Sequence, residues 1–334
     1  MKLSILDQAP ISAGQSAQEA LNESMKLAQA GETLGYSRYW IAEHHDMPGL
    51  ACPAPEVMLS YIGANTKTIR IGCGAVLLPH YRPYKVAVLY NMLAVLFPGR
   101  IDVGIGRAPG GSAEATNALS ENFLQKVWDM PSLVGSLLHF LHNDFPEDHE
   151  FSRVSAAPLP DAPPETWLLG TSKKSALLAA ENGMAYAFGQ FMSDRDGAAI
   201  IREYLEQYKP RRRGEEPKVI LTVSVICAET TEKAEEIALS SMVWALQRGK
   251  GEGEKGVPSI QEAMTYKLND EEEIALEEMK QKVIIGCPQT VKRKLEELQK
   301  HYYADELMLV TITHSPEDRI RSYQLIAEEA QISR

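Results

Sequence analysis

The chain has 334 residues and a formal net charge of -11. This length holds two average domains or one large barrel, and the acidic balance argues against a protein that grips nucleic-acid backbone through a basic face. No apolar run approaches the ~18 residues needed to span a bilayer, and Cys52, Cys73, Cys227 and Cys287 form no C-x-x-C pair. The expectation is a reduced, cytoplasmic protein with neither a disulfide framework nor a zinc ribbon, and with no membrane or nucleic-acid partner.

The elements follow one another in a regular order. A strand from Leu3 to Gln8 opens the chain, and Leu21, Met25, Leu27, Ala28 and Leu34 then recur at three- and four-residue intervals, the mark of an amphipathic helix that Ser16 can cap. After Gly35 an apolar run from Tyr36 to Glu43 ends on a carboxylate and two imidazoles, Glu43, His44 and His45. A third strand, Ile69 to Leu78, carries Gly72 and Gly74, and Pro83 suits the first turn of the helix after it. The fourth, Ile101 to Gly106, leads into Arg107 to Asp129, a segment rich in Gly, Ala, Ser and Asn. Strands follow at Thr166 to Gly170, Ala185 to Phe191 and Val219 to Cys227. The charged glycine tract from Arg248 to Gly256 reads as a surface loop or a lid over a site. A crossover helix from Gln289 to His301, begun by Pro288, precedes the last strand, Glu306 to Thr313.

Several of these strands are nearly continuous apolar runs, as parallel strands buried on both faces are. Eight strand-helix units in this length predict an α/β fold, a (β/α)8 TIM barrel with insertions after strands 4 and 7, spanning residues 1–334 as one domain. A doubly wound open sheet is the alternative.

Parallel barrels place their chemistry at the strand ends, and three strand ends carry polar groups. At Gly72-Cys73-Gly74-Ala75 the missing side chains serve either tight packing or the close approach of a flat ring. Gly104-x-Gly106-x-x-Pro109 lacks the third glycine of a dinucleotide fingerprint and has no acidic ribose partner downstream; it leaves Arg107 just beyond a strand, where a guanidinium can grip an anion. Thr171, Ser172 and Ser175 follow the fifth strand where a helix begins, so hydroxyls and free backbone N–H groups face one point. An ordinary N-cap uses the same residues. His44 and His45 are adjacent and point apart, so a shared metal ion is disfavoured and no metal site is expected; a general base or hydrogen-bond donor is the better role. The basic run Lys209-Pro210-Arg211-Arg212-Arg213 reads as a solvated loop.

Taken together, Tyr39-Trp40-Ile41-Ala42-Glu43-His44-His45, Ile69-Arg70-Ile71-Gly72 through Leu78-Pro79, Gly99 through Arg107, Gly170-Thr171-Ser172 with Ser175, and Gly286-Cys287-Pro288 resemble the bacterial luciferase-like flavin monooxygenases over most of the chain. The resemblance implies a barrel that binds FMN, as FMNH2, and activates O2 through a flavin C4a peroxide to oxidise a small organic substrate. It implies phosphate contacts from Arg107, Ser172 and Ser175 with Thr171 beside them, a flavin ring resting on Gly74 and Ala75, and His44 as the catalytic residue. Gly106 stands where luciferases carry a reactive cysteine, and Thr171 where a luciferase subunit has a carboxylate, so light emission is not implied. No second nucleotide site is visible, so a separate NAD(P)H:flavin reductase is expected to supply reduced flavin, and exposed apolar helix faces would make a homodimer. The rivals are a deazaflavin-dependent oxidoreductase of the same fold, a non-catalytic flavin-binding protein and, less closely, a metal-dependent barrel hydrolase.

Overall fold

A computed structural model describes residues 1–332. Nine strands run in chain order as β1 Leu3–Asp7, β2 Arg38–Ile41, β3 Arg70–Leu77, β4 Ile101–Gly106, β5 Glu165–Gly170, β6 Ala185–Gly189, β7 Val219–Cys227, β8 Ile284–Gly286 and β9 Glu306–Val310. Every pairing is parallel; β1 through β7 lie in sequence, and β9 closes the ring between β7 and β1. The result is a closed eight-stranded parallel barrel surrounded by helices, as the alternation of elements predicts, and closure rules out the open sheet.

Three details depart from the expectations. The second strand ends at Ile41, so Glu43, His44 and His45 lie in the loop beyond it, although Ala42 still donates to the Asp7 carbonyl at 2.9 Å. The three-residue β8 pairs with the outer end of β7, beyond the ring, and is too short to leave a sequence pattern. The glycine tract is not a free loop. Arg248 and Gly249 complete the helix Thr231–Gly249, a short 3-10 turn covers Gly253–Lys255, and buried Val257 exchanges hydrogen bonds of 2.8 Å with Ile11 and Ala13.

Helix ends follow local chemistry. Ser16 and Glu19 form a reciprocal capping box on Ala17–Leu34, and Gly35 closes that helix at φ 87°, a left-handed conformation that glycine adopts without steric cost. Proline occupies the first turn of Pro83–Leu96 and of Pro288–His301.

Because alternate strand residues point inward, the barrel interior is built in layers. The lowest layer is ionic. Buried Arg38 donates to Asp102 at 2.7 Å and to Glu306 at 2.8 Å, and Arg70 reaches the other Asp102 oxygen. The middle layer is aromatic: Trp40 and Trp167 meet edge to face at 5.6 Å, Trp40 Nε1 donates to Asp102 at 2.9 Å, and the Arg38 guanidinium lies 4.8 Å from the Trp167 ring centre. The Trp40 ring fits because Gly72 and Gly74 face it. A Cβ on Gly72 would stand 2.8 Å from Trp40 Nε1, and one on Gly104 would collide with the Cys73 carbonyl. The packing explanation therefore accounts for Gly72.

Removing one partner of a buried ion cluster leaves the others charged and unpaired. Arg38→Ala is expected to lose about 3–5 kcal/mol of stability, read as a lower urea midpoint at unchanged slope; a loss below about 1 kcal/mol, the surface-pair range, would show that the cluster is not structural.

Candidate active site

Above the indoles the inward positions become small. Two residues beyond Trp40, Gly72 and Gly104 stand Ala42, Gly74 and Gly106, and Ala187 and Gly189 do the same on β6. The space they release is a cavity of about 410 Å³ at the C-terminal ends of the strands, within the usual size of small-molecule sites. The β3–β4 register shifts between Cys73 and Val76, and Gly74 and Ala75 within this bulge line the cavity; the peptide between them is cis. His44, Arg107, Thr171, Ser172 and Ser175 line it as well. Every site residue singled out from the sequence therefore comes to one place.

A second cavity of about 400 Å³ adjoins the first and shares Arg107, Val127, Leu169 and Ser175 with it; Trp128 and Lys174 form its outer side. A wider crevice of about 780 Å³ lies at the opposite end of the barrel, among Arg70, Glu165 and Lys218. The basic run borders that crevice, where Arg211 pairs with Asp144 at 2.9 Å and exposed Arg212 meets His142. It is polar and far from the strand ends that carry the chemistry.

On the β5 side, Ser172 caps the helix Lys173–Glu181. Its Oγ accepts from Ser175 N at 3.3 Å, and Ser175 Oγ accepts from Ser172 N at 3.2 Å. The N-cap reading is correct, and it leaves the first-turn N–H groups of this helix and the Ser172 and Ser175 hydroxyls beside the exposed Arg107. Gly170 is required here, since a Cβ would overlap Ser175 Oγ. Tyr186 supports the cradle from below, donating to the Gly170 carbonyl at 3.1 Å. Burial raises its phenol to about 12, opposed by the Ser175 hydrogen bond and the nearby Arg107 charge.

On the β2 side the central group is Glu43, 4 % exposed. Its Oε1 accepts from Tyr81 Oη at 2.6 Å and from His45 Nε2 at 2.7 Å, and its Oε2 accepts from the Leu77 amide at 3.1 Å. His45 N donates to the Gly110 carbonyl at 2.8 Å, tying this loop to the segment after β4. The two histidines diverge as adjacency predicts: His45 is held by Glu43, and His44 lines the cavity. His44 Nδ1 is buried without a partner. Burial first, then the electrostatic influence of Arg248 and of the neighbouring His45, push its imidazole down to about 4, so it is neutral at pH 7. Among the described residues no group of three or more His, Cys, Asp or Glu side chains is arranged to hold a metal ion.

Two contributors escaped the sequence reading. Glu43 lies inside the quoted motif, but its partners Leu77 and Tyr81 are more than thirty residues away and share no pattern with it. Arg248 falls in the glycine tract that reads as a loop, whereas it belongs to the last turn of the helix Thr231–Gly249 and acts on His44 from there.

A profile of luciferase-like monooxygenases matches residues 1–304. The chain belongs to this family. Among its members, the N-acetyl-S-alkylcysteine monooxygenase of Bacillus subtilis (strain 168) is 34 % identical, over 98 % of each chain. The apo-MsnO8 crystal structure superposes at a TM-score of 0.86 with 31 % identity, covering 99 % of both chains. The oxygenating constituent of 3,6-diketocamphane monooxygenase from Pseudomonas putida, solved in complex with FMN, has the same fold at a TM-score of 0.71 and 20 % identity, over 98 % of this chain and 97 % of that one. No helix among the described residues of this luciferase-like barrel is long and apolar enough to cross a membrane.

The depressed His44 value has a consequence for stability. An unfolded chain protonates this imidazole near its ordinary value of 6.5, whereas the folded one does so only near 4. The unfolded state therefore binds the extra proton in that window, and this part of the stability, complete above 6.5, is lost as the pH falls toward 4. Between pH 7.0 and 5.0 the wild type is expected to lose about 2 kcal/mol more than His44→Gln, measured by urea unfolding; equal losses would show that His44 is not held neutral.

Proposed function

We propose that the strand-end cavity binds reduced FMN and that the protein is the oxygenase component of a flavin-dependent monooxygenase acting on a small organic molecule with O2. The observation that carries this reading is the convergence of Arg107, Ser172, Ser175, Gly74, Ala75 and His44 on one cavity from four different strands. The donor set suits the cofactor. A phosphate dianion calls for a guanidinium, hydroxyls and helix N–H groups, which Arg107, Ser172, Ser175 and the start of Lys173–Glu181 offer, with Thr171 beside them. A flat ring calls for a wall without side chains, and Gly74, Ala75 and Gly106 are such a wall.

Reduced flavin, when bound, supplies the electrons that activate O2. The protein's part is positional. The Trp40–Trp167 layer seals the cavity from below, and its apolar lining excludes water that would divert the reaction. His44, neutral and with a free buried nitrogen, can take a proton or hand one on at pH 7 without first losing its own. Glu43 holds the loop on which His44 sits by binding His45, Tyr81 and the Leu77 amide together.

The reading includes two partners. A separate NAD(P)H:flavin reductase delivers the reduced flavin, supported by the lack of any dinucleotide fingerprint in the sequence. The exposed Val57, Tyr61, Met92 and Val95 on the neighbouring helices Pro55–Ala64 and Pro83–Leu96 support a homodimer. The N-acetyl-S-alkylcysteine monooxygenase relative supports an organosulfur substrate.

Arg107→Ala is expected to weaken reduced FMN binding about ten- to a hundredfold, the effect of losing a charge-assisted hydrogen bond, measured anaerobically by flavin fluorescence with the deazaflavin F420 titrated in parallel. Unchanged FMN affinity removes Arg107 from the site, and tighter binding of F420 than of FMN selects the hydride-transfer rival. His44→Ala is expected to retain FMN and to lower reductase-coupled product formation by ~10²-fold or more; full product formation in that variant would leave His44 without a catalytic part.

A further inference from the structure

Arginines in this acidic chain generally have an acceptor or lie in water. Arg38, Arg70, Arg211, Arg293, Arg319 and Arg321 pair with carboxylates, and Arg100 binds backbone carbonyls. Arg248 has neither. Among the described residues it is the one guanidinium removed from full exposure without a carboxylate or carbonyl partner.

Its place is well built. The guanidinium lies 4.8 Å from the centre of the Trp244 ring, and Trp244 is 2 % exposed. Trp244 packs directly against Gly49, where a Cβ would stand 2.8 Å from the indole, and it donates from Nε1 to the Gly253 carbonyl at 3.3 Å. The stem of Arg248 is covered by Gly253, whose own Cβ would overlap it. Gly49 belongs to the loop that begins at His44, and its carbonyl accepts from Ile11. A rigid indole thus holds one cation at a fixed place beside the loop that carries His44, between the chain segments that follow β2 and β7. The phosphate-cradle residues stand on the β4 and β5 side. Burial and the lack of an anion nearby leave this charge uncompensated, and His44 feels it.

A fixed, partly desolvated guanidinium with an open coordination plane is a receptor for a planar or tetrahedral oxyanion. We infer that Arg248 is a specificity-determining residue that seats the carboxylate or sulfonate group of an anionic organic substrate, with the apolar part of that substrate directed into the cavity beside His44. This rests on the proposed function only in placing the oxidised part of the substrate next to the flavin; the anion site itself stands on Arg248, Trp244 and Gly49.

The test is calorimetric titration of full-length protein with sodium octanoate, sodium 1-octanesulfonate and the neutral 1-octanol, with and without saturating FMN. At least one of the two anions is expected to bind ten- to a hundredfold more tightly than octanol, and which of them does so identifies the headgroup. Arg248→Gln is expected to abolish that preference with FMN affinity unchanged, and Arg248→Lys, which keeps the charge, to retain part of it. Equal binding of all three compounds overturns the proposal, as does an anion preference that survives Arg248→Gln but disappears in Arg107→Ala. An FMN affinity that falls in Arg248→Gln and not in Arg107→Ala would place the flavin phosphate at Arg248 and also overturn it. An anion preference that depends on Arg248 in a protein with no affinity for FMN upholds this site and sinks the flavin reading instead.

Discussion

Two indoles resting on a buried ion cluster divide the barrel into a solid half and a hollow half. Trp40 and Trp167 fill the section, with glycines facing Trp40, and they are held at that height by the Asp102 hydrogen bond to Trp40 and by Arg38 beneath Trp167. A barrel of eight strands has an interior just wide enough to be filled by side chains. A ligand space therefore exists only where side chains shrink, and here they shrink one rung above the indoles, at Ala42, Gly74, Gly106, Ala187 and Gly189. Large side chains below and small ones above specify where the cavity ends and which end of the cylinder opens.

The rim divides chemically as well. On the β4 and β5 side a guanidinium, two hydroxyls and a helix start are gathered within a few residues of two neighbouring strand ends. On the β2 and β7 side Glu43 ties its own loop to the end of β3, and Trp244 props up a second guanidinium. The bond from His45 N to the Gly110 carbonyl links the two sides across the end of β3. His44 is thereby fixed on the side of the site nearer Arg248, and its low proton affinity follows from that neighbour as well as from burial.

Most of this arrangement can be read from the chain, and the exceptions share a cause. The eight ring strands are evident because each carries enough consecutive apolar residues to mark burial on both faces. Arg107 and Ser172 are evident because their roles depend on position relative to a strand end, which is a local property. Ile284–Gly286 is invisible because three residues make no pattern. Glu43 is present in the motif yet its task is hidden, because its hydrogen bonds go to residues whose nearness arises only when β2 and β3 pair. Gly72 and Gly74 look alike in sequence, and both yield room to the Trp40 indole, but only Gly74 also lines the cavity. That distinction depends on the rung each occupies, which is set by register and not by composition.

The bond between Arg38 and Glu306 joins residues 268 positions apart. While the polypeptide is still emerging from the ribosome, Arg38 can meet Asp102 and Glu165, but its guanidinium lacks the Glu306 carboxylate until almost the whole message has been translated. The ring therefore cannot be completed piece by piece: a fragment that stops short of β9 leaves the facing edges of β1 and β7 open, so the final strand acts as the keystone.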